Sequence, residues 1–251
     1  APTRVALTQP MGDGSVRDFT WGELAGEVRR MAAHLQSMGI GPGDKVAILS
    51  KNCAWWLMSD LAIWMAGGVS VPLYPTLAHE TIAHILKHSE ARACFIGKLD
   101  GWEAMAPGVP AGLPCISYPL SPESARKAYP LWDALCKAAQ PVAGQPVRAG
   151  DDLATLIYTS GTTGMPKGVM HTFNSFAWAL DAGIRRLPMG RDDRMLSYLP
   201  LAHVVERVLV EHGWLRTGMH VFFADSLDTF TTDMQRARPT IFFSVPRLWV
   251  K

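Results

Sequence analysis

The sequence predicts an α/β fold, with mostly parallel β-sheets flanked by helices. Two observations carry that prediction. Short apolar runs such as KVAILS, VSVPL and LATLIYTS alternate along the chain with longer segments whose apolar residues recur at helical spacing. Such βαβα alternation implies parallel strands with helices on both faces of the sheet, joined by right-handed crossovers. The composition, 48% hydrophobic and 18% charged over 251 residues, supplies enough apolar surface for a folded core and excludes disorder.

The elements follow in order. FTWGELAGEVRRMAAHLQSMG opens on a capping box, Thr20 with Glu23, and repeats Leu24, Val28, Met31, Leu35 and Met38 before Gly39 stops the helix. A GPGD turn leads into the strand KVAILS. Residues 54–74, AWWLMSDLAIWMAGGVSVPLY, imitate a membrane span, but Asp60 interrupts them and Gly67-Gly68 breaks them. A helix over residues 54–66 is about 20 Å long, short of the roughly 30 Å a bilayer needs. The stretch therefore reads as a buried helix, a tight turn and a buried strand. LAHETIAHILKHSEA is an amphipathic helix and RACFIG the next strand. Residues 98–151, rich in Pro, Gly and Ala, form a sheet edge with a weak strand at 115–118 and a short helix at 131–138. Alternation then resumes: the strand LATLIYTS, a helix near 173–186, a strand near 194–198, a helix after His203, and strands HVFFA and TIFFS. No internal repeat is found.

The net charge of +2 is too small to call for a nucleic-acid partner. Cys53, Cys94, Cys115 and Cys136 contain no CxxC pair and fit a reducing, cytoplasmic compartment. The opening APTRVALTQP lacks a signal-peptide pattern and an initiator Met, so the chain reads as processed or cut from something longer.

The chemistry concentrates in YTSGTTGMPKGVMH, residues 158–171, directly after a buried strand. Glycines let backbone approach a ligand, successive N–H groups make an anion-binding nest, hydroxyls rotate toward phosphate oxygens, and Lys167 adds positive charge. Pro166 holds Met165 extended. The stretch is not a Walker A loop, because Lys167 is followed by Gly168 and Val169 rather than Ser or Thr and a helix. Together these parts fit a triphosphate.

This stretch resembles the phosphate-binding motif of the adenylate-forming superfamily, which includes acyl-CoA synthetases, peptide-synthetase adenylation domains and firefly-type luciferases. YLPLAHVVERV (198–208) and SVPRLW (244–249) are similar to the long-chain fatty acyl-CoA synthetase branch, as are TWGELAGEVRRMAAHLQSMGIGPGDKVAIL and AGGVSVPLYPT to its N-terminal region. The resemblance implies ATP, Mg2+ and CoA as cofactors and a fatty acid as substrate. It gives Thr159, Ser160, Gly161, Thr162, Thr163, Gly164 and Lys167 the phosphate-loop role, and places His203 beside the acyl carboxylate and α-phosphate; Lys167 and His203 are the expected catalytic residues. Glu206 and Arg207 are expected to form an exposed or interlobe ion pair.

Two decoys are set aside. His79, Glu80 and His84 are spaced one residue too long for a zinc-protease HExxH, and His84 and His88 read as a solvated helix face. Gly43-Asp44 is a turn rather than a ribose-binding site. The family's Glu for Mg2+, its ribose-binding Asp and its mobile C-terminal domain find no match in these residues, so no metal ligands are assigned. The expected organisation is a partial N-terminal AMP-binding domain over 1–251, with interleaved lobes of about 50–193 and of 1–49 with 194–251, inactive alone. The alternatives are an adenylating enzyme for another carboxylate, or a non-catalytic nucleotide-binding module. Peripheral contact with the inner membrane face would suit a fatty substrate, although no amphipathic anchor is evident. The oligomeric state is not readable.

Overall fold

The computed structural model describes residues 1–159 and 165–244. Two sheets organise them. One has the strand order β2-β1-β10-β9, from β1 (Val5–Pro10), β2 (Val16–Thr20), β9 (Arg194–Ser197) and β10 (His220–Phe223). The other has the order β6-β5-β3-β4-β7-β8, from β3 (Lys45–Leu49), β4 (Val69–Leu73), β5 (Ala91–Ile96), β6 (Cys115–Ser117), β7 (Leu153–Thr159) and β8 (Lys167–Thr172). β6, the weak strand expected at 115–118, is one edge of the larger sheet. Neighbours are parallel except β1–β2 and β7–β8. Those two connections, residues 11–15 and 160–166, are too short for a crossover helix, so the strands turn back as hairpins. Strand β3 lies in the larger sheet. The chain passes from the smaller sheet to the larger between Thr20 and Lys45.

Helix α1 (Trp21–Ser37) begins where its capping box demands. Thr20 Oγ1 accepts from the Glu23 N–H at 3.3 Å, and the Glu23 carboxylate accepts from the Thr20 N–H at 2.9 Å. Its apolar stripe, Leu24, Val28, Met31, Ala32 and Leu35, is buried. Helix α2 (Ala54–Ala66) is buried on nearly every side, which accounts for its membrane-like composition without a membrane. Gln9, from β1 of the other sheet, accepts the Ala54 N–H at 2.8 Å and so caps α2 across the molecule. Gly67, at φ +96°, ends the helix in the left-handed region. No helix among the described residues is long and apolar enough to cross a membrane.

The remaining helices are α3 (His79–His88), α4 (Trp102–Met105), α5 (Glu123–Ala128), α6 (Trp132–Ala138), α7 (Phe173–Ile184), α8 (Val204–Glu206), α9 (Gly213–Thr217) and α10 (Phe230–Ala237). A π-helical turn, Arg207–His212, joins α8 to α9. The core follows the strand period of two: Val46 and Ile48 face the α1–α2 layer between the sheets, while Ala47 and Leu49 face α3 and α4 on the opposite side. The run TIFFS contributes only an isolated bridge, Met195 to Ile241, among the described residues.

Candidate functional site

The β7–β8 hairpin carries the glycine-threonine turn. Residues 160–164, that is Ser160, Gly161, Thr162, Thr163 and Gly164, lie outside the described residues. What flanks them is in place. Thr159 and Lys167 are register partners across the hairpin, both exposed, so hydroxyl and ammonium stand at the two stems of the turn. Lys167 makes no ion pair with any described residue, and its charge is available to an anion.

One residue back, Tyr158 points to the opposite face and is buried against α3. Its hydroxyl bonds His88 Nδ1 at 2.7 Å, and burial pushes the phenol above its usual range. Gly168 lets β8 approach this ring: a Cβ there would lie 3.2 Å from Tyr158 Cζ. His84 Nε2 bonds the Pro166 carbonyl at 3.4 Å. The two histidines expected on a solvated face thus touch the hairpin. His84 is half-buried, and His88, although exposed, anchors Tyr158.

A cavity of about 560 Å³ opens at the carboxyl ends of β4 and β7, where parallel α/β sheets bind their ligands. Leu73, Tyr74 and Thr76 line it from the end of β4, Thr81 and Ile85 from α3, Thr159 and Pro166 from the hairpin, and His203 from the far side. Among the expected site residues, Thr159 and His203 therefore share one cavity, and Lys167 stands at its hairpin stem outside the lining.

His203 caps the turn into α8. Its Nδ1 accepts the Val205 N–H at 3.2 Å, so the neutral ring carries its proton on Nε2 as a donor. The turn before it is braced by buried Asn52, which sequence reasoning missed, and by Glu206, which it expected in an ion pair. Asn52 donates to the Leu199 carbonyl (2.6 Å) and to Ser197 Oγ (2.8 Å), and accepts the Leu201 N–H (2.9 Å). Glu206 Oε1 accepts from Ser197 Oγ (2.9 Å) and from the Tyr198 N–H (3.1 Å). Burial pushes the Glu206 carboxyl up to about 8, against the pull of those hydrogen bonds, so it holds its proton at neutral pH. Neither Asn52 nor Glu206 carries a local signal beyond its residue type; only the fold brings residue 52 to residue 199.

Glu206 and Arg207 do not pair with each other and are not exposed. Both are buried, and Arg207 pairs with Asp60 and Glu211 instead. Successive helical residues diverge by about 100°, which sends the two side chains to different partners. No group of three or more His, Cys, Asp or Glu side chains suited to a metal ion occurs among the described residues.

The profile of the AMP-binding enzyme family matches residues 1–251. The chain belongs to this family. A long-chain-fatty-acid–CoA ligase of Mycobacterium bovis is 31% identical over 98% of the chain, which spans 42% of that protein. The inhibitor-bound N-terminal domain of FACL13 from Mycobacterium tuberculosis superposes with a TM-score of 0.82 at 25% identity, over 99% of this chain and 60% of that one. The o-succinylbenzoate CoA synthetase of Bacillus subtilis, solved with its acyl-adenylate intermediate, gives 0.76 at 25% identity, with the same coverage. This member of the AMP-binding enzyme family thus has the fold of the N-terminal part of an adenylate-forming enzyme and spans less than half the length of that ligase.

Proposed function

We propose that the chain is the N-terminal part of an ATP-dependent, AMP-forming acid–thiol ligase whose acid is a long-chain fatty acid. The observation that carries this reading is the convergence of the Thr159 and Lys167 hairpin stems and His203 on one end of the sheet. The donor set suits a triphosphate, and the family match supports ATP as the nucleotide. Thr159 and Lys167, with the turn 160–164 between them, would hold the β- and γ-phosphates. His203 would donate from Nε2 to the carboxylate or α-phosphate oxygen. A carboxylate is a weak nucleophile repelled by a triphosphate, so neutralising the phosphates and aligning the attack supply most of the acceleration. Acyl-AMP and pyrophosphate form first, and CoA thiol then displaces AMP. No described residue cluster fits Mg2+, and no residue is assigned to CoA.

The fatty-acid assignment rests on the similarity to the mycobacterial ligase and on the apolar wall of Leu73, Leu77, Ile85 and Met165. The test is carboxylate-dependent exchange of pyrophosphate into ATP by the whole protein, with acids of graded chain length. Long-chain acids should support the fastest exchange. A preference for aromatic or short acids would move the protein to another branch of the family. The 251-residue chain alone should support no exchange, and detectable exchange would refute that part.

A further inference from the structure

Arg207 is wholly buried four residues beyond His203, at the start of the π-helical turn. Such turns recur at functional sites. Its guanidinium touches four other elements. Nη2 binds Asp60 on α2 and lies 3.5 Å from Ser70 Oγ on β4. Nη1 donates to Thr155 Oγ1 on β7 at 2.7 Å. Trp56 and Trp64 of α2 and Phe176 of α7 enclose it, at 5.3, 5.8 and 5.5 Å from their ring centroids. Within its own segment, Nε donates to Glu211 Oε2 at 3.0 Å. Thr155 lies four residues before Thr159 on the same strand, so one side chain ties the His203 segment to the strand that carries the phosphate turn.

The charges do not balance as drawn. Asp60, Arg207 and Glu211 are all fully buried, with two carboxyls against one guanidinium. The other titratable groups that face Arg207 are His212 on the same turn and His171 on β8; burial and the arginine lower both, and His212 to about 3, so neither supplies a cation. A net negative charge sealed from water is strongly disfavoured. Asp60 Oδ1 and Glu211 Oε1 are buried without a partner, and the two carboxyls lie within hydrogen-bonding reach of each other. One proton on Glu211, donated to Asp60, neutralises the cluster and gives the pair a donor. Burial first, and the Asp60 charge second, push the Glu211 carboxyl far up in the same sense.

We propose that Arg207, locked by Asp60 and a protonated Glu211, is a positioning residue of the adenylating site that fastens the His203 segment to strand β7. The catalytic consequence rests on the ligase reading; the lock does not. Two measurements on the whole protein test it. In hydrogen exchange of amides 203–212 at neutral pH, Glu211→Gln, a neutral stand-in, should keep protection within about threefold of wild type, whereas Asp60→Asn with Glu211→Gln, leaving Arg207 without an anion, should lose tenfold or more. Loss in Glu211→Gln alone, or none in the double variant, overturns the lock. In pyrophosphate exchange, Arg207→Lys should slow turnover about tenfold with His203 present and less than about twofold in a His203→Ala background. Equal slowing in both backgrounds would make Arg207 merely structural. A wild-type protein that exchanges no pyrophosphate with any carboxylate refutes the ligase reading, and hydrogen exchange still decides the lock.

Discussion

Glu206 shows how a single side chain couples the turn before His203 to pH. In the folded protein its carboxyl keeps a proton from its ordinary value of 4.5 up to about 8, a range over which the unfolded chain releases it. The folded state therefore binds more protons across this window. This contribution to stability is full below 4.5 and is lost as pH rises toward 8. Glu206→Gln should abolish that loss. Urea unfolding near each end of the window should show a smaller decline for the variant than for wild type, and an unchanged decline would disprove the assignment. The residue scale is also where the sequence was hardest to read. That Lys167 and Thr159 flank a turn follows from their order in the chain, and the structure adds that they are register partners. That Arg207 ignores its neighbour Glu206 for Asp60, distant in sequence by 147 positions, follows from packing alone.

At the scale of elements, legibility followed burial and local signals. Helix α1 announced itself through its cap and its apolar stripe, and β3, β4 and β5 through runs buried on both faces. Strand β1 went unseen although it is almost wholly buried, because the polar Thr8 and Gln9 interrupt its apolar run, and β2 and β8 went unseen as well. β2 (VRDFT) and β8 (KGVMHT) are edge strands with little buried face, so neither periodicity nor composition marks them. Where the main sheet is fully enclosed, it tolerates no added atom. A Cβ at Gly97, just past β5, would sit 2.5 Å from Tyr118 Cδ2 and would also overlap Ser50. Gly97→Ala should therefore destabilise the protein by about 1–3 kcal/mol, read as a lower midpoint in denaturant at unchanged slope. A midpoint equal to wild type would mean that Ser50 and Tyr118 yield more freely than their burial implies.

Over the whole molecule, two sheets with α1 and α2 between them bring distant stretches to one edge. The hairpin stems come from the larger sheet, His203 from the turn after β9 of the smaller one, and Asn52 spans the gap. The glycine-threonine turn proposed to hold phosphate was legible because its residues are contiguous; the bracing residues and the lock were silent because theirs are assembled only by folding. Buried titratable groups pull stability in opposite directions. His212 and His220, lowered to about 3 and about 4 by burial, favour folding above their ordinary range, and Glu206 favours it below. The measurement that reaches the central claim most directly is carboxylate-dependent pyrophosphate–ATP exchange by the whole protein, wild type against Lys167→Ala. A phosphate-neutralising lysine predicts a loss of roughly a hundredfold or more in the variant. Equal exchange by the two proteins would contradict the claim that the β7–β8 turn holds the triphosphate.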